Sequence, residues 1–342
     1  MTSLFESVQP FADVATDIES TSNNLRESVC LIRNGEEIRI VSHHQSNAVD
    51  LFLNNQSKKF SSLASLIGSE TFADIDALFA AQNRIFHRDQ DQFDPESLIE
   101  PVGDIDGSDL SLASFLHAAQ PKKDPERLDI ILLDGPAGVG KTSLVRRLMW
   151  ERCQQKSHGI YVPPILHVVN RGRGLATLDD FLARATQSSG SKFTYAQVPI
   201  LIRMGLLQVC IDGFDELADP AGYVDAWEAL RQFLEKTKSG GPIILAGRDT
   251  FFDAQSFSDS VKSSEINIST KRARLSTTSP QTASDYLSSS GWPNDEIEML
   301  RRFDFLEAGS YSLRPYFLSV LAKLPNKSWR FISSNKMVRN IS

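Results

Sequence analysis

A short glycine-rich segment constrains the fold of this 342-residue chain more than any other feature of its sequence. The segment matches the pattern G-x-x-x-x-G-K-[ST] in full, with Gly135, Pro136, Ala137, Gly138, Val139, Gly140, Lys141 and Thr142. An apolar run at residues 130–133 precedes it, and apolar residues at helical spacing follow it from Leu144 to Cys153. Because a strand, a glycine-rich turn and a helix are the setting in which this pattern binds phosphate, the segment predicts a phosphate-binding loop.

The residue types of this loop predict how it would hold a nucleotide. Its glycines allow successive backbone N–H groups to point inward, and the helix that follows presents its positive end to the same anion. We expect Lys141 to reach the β- and γ-phosphates and the Thr142 hydroxyl to ligate Mg²⁺, with Ser143 completing the nucleotide site. The predicted cofactors are ATP or ADP together with Mg²⁺.

A second candidate site is the acidic segment that follows the apolar run 206–211. Ligands of open α/β sheets collect at the carboxyl ends of the strands, so this segment should face the phosphate-binding loop. Asp212 is the candidate Mg²⁺ ligand, through water. Glu216 is the candidate for polarising the attacking water, with Asp215 supporting or sharing that role. The alternative is a solvated acidic turn that caps the next helix.

A third candidate is the arginine that follows the apolar run 243–246, within Gly247-Arg248-Asp249. A cation at the carboxyl end of a strand could sense the γ-phosphate or stabilise the charge that develops during its transfer. Arg248 is therefore included among the candidate catalytic residues. The alternative is a surface arginine that forms a salt bridge with Asp249.

Strands and helices alternate in the second part of the chain. Apolar runs mark four strands, at residues 130–133, 165–169, 206–211 and 243–246. This succession predicts an α/β fold with a parallel sheet and right-handed crossovers, the three-layer sandwich of P-loop NTPases. We expect an N-terminal α+β unit of unknown role at 1–120, the NTPase core at 121–275 and a helical lid at 276–342. The acidic, turn-rich residues 89–109 are interpreted as a linker.

Within the N-terminal unit the sequence predicts a hairpin and a helical region. Asn34-Gly35 tolerates the positive φ of a two-residue loop, so residues 31–40 are predicted to form a β-hairpin. Residues 61–86 carry apolar side chains at helical spacing, interrupted near Gly68. No recognised catalytic motif lies in this unit.

The charge distribution argues against nucleic-acid binding by the N-terminal unit. The chain has a net charge of −7, but residues 1–120 carry 7 Lys and Arg against 19 Asp and Glu, a net charge of −12. Phosphate contacts dominate the affinity of nucleic-acid-binding proteins. The one basic patch, Lys271-Arg272-Ala273-Arg274, is interpreted as a solvated face or an interdomain contact in preference to a DNA site.

Other features place the chain in a reducing compartment without a membrane partner. No apolar run approaches the roughly 18 residues that cross a bilayer, and the N-terminus lacks the basic and apolar regions of a secretion signal. The three cysteines are too widely spaced to indicate a disulfide framework or a metal site. The expected location is therefore the cytoplasm.

Three weaker signals are interpreted as structural. His43-His44 has no further ligand at a spacing that suits a metal. Residues 104–109 resemble a calcium loop, but the glycine falls at the wrong position. His167, inside an apolar run, is interpreted as a core histidine.

The phosphate-binding loop, the strand that ends in Asp-Gly-Phe-Asp-Glu and the later strand that ends in arginine together resemble the NACHT group of STAND NTPases, which are signalling relatives of AAA+ ATPases. The resemblance covers about residues 125–325. Residues 162–166 are similar to the second strand of that family, and residues 275–280 to the start of its helical lid. Residues 313–318 resemble the lid segment whose proline packs near the adenine, which implies that Pro315 contacts the nucleotide.

The resemblance implies binding of ATP or ADP, self-association through the NTPase core and transmission of a signal to an effector or sensor partner. Many prokaryotic members of the family act in antiphage defence. Family members continue into a winged-helix domain, often with a histidine that reads the β-phosphate. No histidine follows His167, and the chain is therefore expected to be short at its C-terminus relative to the family.

The leading hypothesis is thus an ATP-binding and ATP-hydrolysing signalling switch. One alternative is an adaptor that binds the nucleotide as a structural ligand without hydrolysing it. Another is a P-loop small-molecule kinase, which would need an acceptor pocket and an arginine-rich lid. A GTPase is disfavoured, because Asn326-Lys327 and Asn335-Lys336 are not followed by the aspartate that reads guanine.

Overall fold

The computed structural model describes residues 3–88, 98–121, 126–169, 177–216, 223–254 and 266–324. In these residues the chain forms a five-stranded and a seven-stranded sheet. None of the helices in the described ranges combines the length and the apolar character that crossing a bilayer requires.

The five-stranded sheet is an antiparallel meander whose strands follow chain order. Its strands are β1 (Glu19–Ser22), β2 (Arg26–Arg33), β3 (Glu36–His43), β4 (Val49–Leu53) and β5 (Gln56–Phe60). Asn34 and Gly35 join β2 to β3 with φ of 52° and 74°, the left-handed pair that a tight hairpin loop requires. The predicted hairpin over residues 31–40 is confirmed, with Arg33 opposite Glu36.

Three helices accompany this sheet, namely α1 (Leu4–Val8), α2 (Leu63–Ile67) and α3 (Ile75–Arg88). Ser62 caps α2 through reciprocal hydrogen bonds with Ser65, and α2 ends at Gly68. The predicted interruption of the helical region near Gly68 is therefore confirmed. α1 and α2 pack on the sheet, whereas α3 packs on a helix of the second sheet.

The seven-stranded sheet is mostly parallel. Its strands are β6 (Gly103–Ile105), β7 (Ser108–Asp109), β8 (Leu128–Asp134), β9 (Ile165–Val169), β10 (Gln208–Asp212), β11 (Gly240–Ala246) and β12 (Ile268–Leu275). Their spatial order is β7-β6-β12-β8-β11-β10-β9, and the five strands from β12 to β9 run parallel. β8 is buried along its whole length, as a central strand covered on both faces must be.

Helices cover both faces of this sheet. They are α4 (Leu112–Ala118), α5 (Lys141–Ser157), α6 (Leu178–Ser188), α7 (Val198–Arg203), α8 (Tyr223–Thr237) and α9 (Asp249–Ala254). Alternate residues of β8 enter opposite cores: Ile130 and Leu132 pack on one side, and Ile131 and Leu133 on the other. A parallel sheet between two helical layers is the three-layer sandwich of P-loop NTPases, so the predicted fold class is confirmed.

The prediction of a linker over residues 89–109 is wrong at its carboxyl end. Residues 89–97 lie outside the described residues, but β6 and β7 form a hairpin, and β6 pairs antiparallel with β12. Polar contacts hold these short strands, since the Asp106 carboxylate accepts a hydrogen bond of 2.8 Å from the Arg272 N–H. The sheet thus begins before the predicted boundary at residue 121. The division of the chain into three domains stays a prediction.

β12 was not predicted, because its polar sequence lacks the continuous apolar run that marks the other parallel strands. Only Ala273 and Leu275 are buried in it. α8 ends at Thr237, and the pair Gly240-Gly241 that follows it belongs to β11.

The helices that follow β12 form a compact group with its own apolar core. They are α10 (Pro280–Ser289), α11 (Asn294–Arg302) and α12 (Pro315–Ala322). Ser279 caps α10 by accepting a hydrogen bond from the Thr282 N–H, and Pro280 occupies the first helical position. We call this group the lid. The predicted residues 325–342 of the lid lie outside the described part of the chain.

α3 lies along β9, the outermost strand of the parallel sheet. The Gln82 side-chain amide donates a hydrogen bond of 2.7 Å to the Ile165 carbonyl. Lys156 of α5 also pairs with Asp76 of α3 at 2.7 Å. An edge strand presents unpaired backbone groups, and this bond from α3 satisfies one of them, the Ile165 carbonyl.

Candidate nucleotide-binding site

Residues 135–142 form the turn between β8 and α5, and glycine is required in it for steric reasons. Gly135 has a φ of 143°, and a Cβ atom there would lie 2.4 Å from the Leu275 carbonyl oxygen of the neighbouring strand. Gly140 caps α5 in the left-handed conformation, with a φ of 99°. Any larger residue at Gly135 would collide with β12, and this close approach sets the path of the loop into α5.

Lys141, the first residue of α5, is folded back along the loop. Its Nζ donates hydrogen bonds to the carbonyls of Gly135, at 2.6 Å, and Pro136, at 3.0 Å. Burial lowers the pKa of Lys141, while nearby carboxylates, first Asp215 and then Asp212, act in the opposite direction. The ammonium therefore lies within the electrostatic reach of the acidic segment that follows β10.

Asp212 ends β10 and is buried, with 7% of its surface exposed. Its Oδ2 lies 3.1 Å from His167 Nε2, and its carboxylate accepts a hydrogen bond from the Thr142 hydroxyl. Burial acts to raise the pKa of Asp212, but the bonds from His167 and Thr142 and the charge of Lys141 outweigh it, so the pKa is lowered. The structure thus brings Lys141, Thr142 and Asp212 together.

His167 is the residue at this site that sequence reasoning missed. It lies on β9 opposite Cys210, two residues before Asp212 on the adjacent parallel strand. Its side chain is nearly buried, with 13% exposed, and it faces the aspartate. Its interpretation as a core histidine overlooked this partner. The sequence shows only a polar ring within an apolar run; that this run lies next to the strand ending in Asp212 is known from the structure.

Arg248 follows β11, which lies between β8 and β10 and therefore brings the arginine to the same end of the sheet. Its Nε lies 3.2 Å from an Asp215 oxygen, and the arginine side chain is 62% exposed while that of Asp215 is 13% exposed. The alternative interpretation of the sequence predicts a salt bridge with Asp249, whereas the partner in the structure is Asp215. The Asp215 carboxylate also packs close to Gly247, where a Cβ atom would lie 3.2 Å from its Oδ1.

Glu216 is exposed and lies on the helical segment 214–216 directly after β10. Its N–H donates a hydrogen bond of 3.0 Å to the Gly213 carbonyl, which closes the turn after Asp212. Asp215 contacts Arg248, and Glu216 follows it as an exposed residue of the same turn.

The lid contacts the phosphate-binding loop directly. The Tyr316 N–H donates a hydrogen bond of 3.1 Å to the Gly138 carbonyl, and Arg314 Nη1 donates one of 2.7 Å to the Ala137 carbonyl. Pro315 lies beside Gly140, where a Cβ atom would be 3.8 Å from the Pro315 Cβ. The Arg314 guanidinium also stacks on Tyr311, at 3.9 Å from the ring centroid. The structure thus places Pro315 at the loop, with Ser143 half-buried in the first turn of α5.

The basic residues of β12 have a structural partner at the base of the loop. Asp134, the last residue of β8, is fully buried and pairs with Arg272 and Arg274 of the adjacent strand. A buried carboxylate requires such cations to offset its desolvation. Two of the three basic side chains of the patch are therefore engaged by the residue that precedes Gly135.

Comparison with known proteins adds a family assignment to this geometry. No curated protein sequence matches the chain significantly. Solved structures with similarity include the Aeropyrum pernix ORC1 protein in complex with DNA, at 18% identity and a TM-score of 0.41, covering 57% of this chain and 53% of that chain. They also include a Walker-type ATPase of Pyrococcus abyssi, at 18% identity and a TM-score of 0.39, covering 58% of this chain and 62% of that chain.

Drosophila ORC bound to DNA is similar at 13% identity and a TM-score of 0.41, covering 62% of this chain and 52% of that chain. The chain thus spans between about half and three-fifths of the length of these structures. Residues 129–256 match the NACHT domain family. This segment begins in β8 and contains the phosphate-binding loop, Asp212 and Arg248. Residues 129–256 are therefore a NACHT domain, a nucleotide-binding domain of the P-loop NTPase class.

Proposed function

We propose that this protein binds Mg·ATP at residues 135–143 and hydrolyses it as a signalling switch. One observation carries the proposal: the Thr142 hydroxyl donates to the buried Asp212 carboxylate, within the electrostatic reach of Lys141. These are the residue types that P-loop NTPases direct at a metal-bound triphosphate. ADP would occupy the same site after turnover.

The residues at this point suit Mg²⁺. Thr142 supplies a hydroxyl oxygen and Asp212 a carboxylate, and Mg²⁺ prefers such oxygen ligands while it keeps several waters. The lowered pKa of Asp212 keeps the carboxylate ionised at neutral pH. When bound, the ion would neutralise charge on the β- and γ-phosphates. Asp212 would hold its hydration shell, and Thr142 would ligate it directly.

For hydrolysis, we assign the activation of water to Glu216. Asp215 forms an ion pair with Arg248, which engages the Asp215 carboxylate at the end of β11. Glu216 follows it and is exposed. Arg248, with more than half of its side chain exposed, would contact the γ-phosphate.

The lid completes the proposed site. Pro315 packs beside Gly140, which supports its assignment as a contact of the adenine, and the bonds from Arg314 and Tyr316 hold the lid against the loop. We further propose a division into an N-terminal unit at 1–120, an NTPase core at 121–275 and the lid from 276 onward. Self-association through the core would pass the signal to an effector, as in antiphage defence in prokaryotes.

The test is phosphate release from ATP by the wild type, Lys141→Ala and Glu216→Gln, with binding of ATP measured in parallel. Lys141→Ala should lose both binding and turnover. Glu216→Gln should retain ATP while turnover falls by about 10²- to 10⁴-fold, the usual contribution of a general base. Glu235→Gln, on the exposed face of α8, is the matched control and should behave as the wild type.

Two other outcomes would contradict the proposal. Tight ATP binding by the wild type without any phosphate release would assign the protein as a non-hydrolysing adaptor. Transfer of the γ-phosphate only when an acceptor is added would assign it as a kinase. Oligomer size with ATP and with ADP, together with the identity of the nucleotide that co-purifies, tests the switch itself.

A further inference from the structure

Three buried phenylalanines connect the acidic segment after β10 with the segment after β11. Phe214 directly precedes Asp215, whereas Phe251 and Phe252 lie in α9, which begins directly after Arg248. The Phe214 and Phe251 rings meet edge to face, with centroids 5.7 Å apart and planes at 78°, and the Phe251 and Phe252 rings do so at 5.3 Å and 81°. Edge-to-face contact is a preferred arrangement of aromatic rings, so this aromatic cluster joins the two segments through well-defined contacts.

Gly247 lies where the aromatic cluster meets the Asp215 carboxylate. A Cβ atom at this glycine would lie 2.9 Å from Phe252 Cε2 and 3.2 Å from Asp215 Oδ1. Its φ lies outside the left-handed region, so the backbone conformation by itself would admit a side chain. The position therefore requires glycine because the ring edge and the carboxylate occupy the space that a side chain would need.

The same cluster holds the backbone that carries Arg248. The Phe251 N–H donates a hydrogen bond of 3.1 Å to the Arg248 carbonyl, and the Phe252 N–H donates a longer one of 3.5 Å. The Arg248 side chain is itself mostly exposed, and its Nε contacts Asp215 at 3.2 Å. A long exposed side chain has many rotamers, so the place of its backbone and of its carboxylate partner determines where its charge lies.

We propose that Phe252 is a positioning residue for Arg248: by packing against Gly247 it sets the place of the arginine relative to the Asp215 carboxylate and directs it at the γ-phosphate. This role rests on the proposed function, since it requires that Arg248 contacts the γ-phosphate. Phe252 is buried and acts only through the arginine. Loss of its ring should therefore weaken the binding of a triphosphate and leave the binding of a diphosphate unchanged.

The test compares ADP with the non-hydrolysable ATP analogue adenylyl imidodiphosphate, each titrated with Mg²⁺ into the full chain by calorimetry. Arg248→Met should weaken analogue binding about tenfold or more, the usual effect of removing a charged hydrogen-bond donor, and should change ADP affinity by less than about twofold. Phe252→Leu should weaken analogue binding about threefold or more and likewise spare ADP. Because ADP occupies the same site, an unchanged ADP affinity also verifies that each variant is folded.

Two double variants test the geometry itself. In the Arg248→Met background, Phe252→Leu should have no further effect on analogue binding, because a residue that acts through Arg248 then has nothing to position. Gly247→Ala alone should weaken analogue binding, since its methyl group collides with the Phe252 ring and crowds the Asp215 carboxylate. Gly247→Ala combined with Phe252→Leu should regain part of the lost affinity, because the methyl group then occupies space that the ring edge has left.

Phe11→Leu is the matched control, because Phe11 is also buried and meets Phe72 edge to face, with centroids 5.5 Å apart and planes at 82°. It should bind both nucleotides as the wild type does. Equal loss of analogue and ADP binding in Phe252→Leu would overturn the positioning role alone, as would unchanged analogue binding in Phe252→Leu when Arg248→Met loses it. A wild type that binds neither nucleotide would overturn the proposed function and the positioning role together.

Discussion

His167 Nε2 lies 3.1 Å from Asp212 Oδ2, so a histidine of the outermost parallel strand holds the aspartate that is the candidate metal ligand. The same carboxylate accepts a hydrogen bond from Thr142. Two bonds from different elements fix the orientation of Asp212 at the end of β10. This arrangement makes His167 a positioning residue for the site.

Replacing His167 by Phe keeps the ring volume and removes the donor to Asp212. Because partners of metal ligands usually contribute 10–100-fold to metal affinity, we expect the Mg²⁺ concentration for half-maximal ATP binding to rise by about that factor. The measurement is a Mg²⁺ titration at fixed ATP, with nucleotide binding in the absence of Mg²⁺ as the internal control. An unchanged Mg²⁺ requirement would show that Asp212 does not depend on the histidine.

The stability of the protein should depend on the charge of Asp212 in acid. Its pKa is lowered in the folded state, whereas an unfolded aspartate titrates near 3.9. The unfolded state then binds the proton more tightly, so the ionised group stabilises the fold above about pH 4, and this contribution is lost as the pH falls through the folded-state pKa.

Asp212→Asn should therefore lose unfolding free energy less steeply than the wild type between about pH 5 and pH 3. Urea denaturation at several pH values measures the two slopes, and Asp109→Asn on the exposed β7 hairpin is the surface control. If the unfolding free energies of wild type and Asp212→Asn fell equally steeply with pH, an ionised and hydrogen-bonded Asp212 carboxylate in the folded state would be contradicted.

Arg314 should slow the release of nucleotide by holding the lid on the loop. The bond from Arg314 to the Ala137 carbonyl involves a charged donor, and such bonds contribute about 1.5–3 kcal/mol. Arg314→Met should thus accelerate dissociation of a fluorescent ATP analogue by about tenfold or more in stopped-flow measurements. Arg302→Met, exposed on α11, is the control. Equal dissociation rates in both variants would mean that the bond from Arg314 to the Ala137 carbonyl does not limit nucleotide release.

We expect Gly135 to tolerate no side chain, because a Cβ atom there would collide with β12. Comparison with a second glycine of positive φ distinguishes this collision from backbone strain. Both Gly135 and Gly190 have positive φ, at 143° and 66°, but a Cβ atom at Gly190 meets nothing within 4 Å. Gly190→Ala should cost about 1 kcal/mol of unfolding free energy. Gly135→Ala adds the collision with the Leu275 carbonyl and should cost about 3–5 kcal/mol. Similar losses in urea denaturation would contradict the collision.

Much of the fold could be predicted because local patterns and tertiary structure agree. The apolar runs that became β8, β9 and β11 are long enough to indicate buried parallel strands, and the phosphate-binding pattern fixed the turn between β8 and α5. Thr177 and Asp180, three residues apart, form a reciprocal cap at the start of α6. Such elements are readable because the residues that determine them are neighbours in sequence.

The elements that were missed depend on residues distant in sequence. β12 is a strand because it lies against β8, and Arg272 and Arg274 are acceptable there because the buried Asp134 pairs with them. The role of His167 likewise required knowing that β9 is the neighbour of β10. The assignments of Glu216 and Arg248 to catalysis stay predictions, since geometry places them at the site without testing their chemistry.

The bond from Gln82 to Ile165 has a practical consequence for work on the isolated NACHT domain. A fragment that starts at residue 121 would lack α3 and would leave the Ile165 carbonyl, on the outermost strand β9, without this partner. Unpaired backbone groups on an edge strand can pair with strands of other molecules, so we expect such a fragment to self-associate with or without ATP. Such self-association would imitate nucleotide-triggered assembly, so the comparison of ATP with ADP is best made on protein that retains residues 75–88.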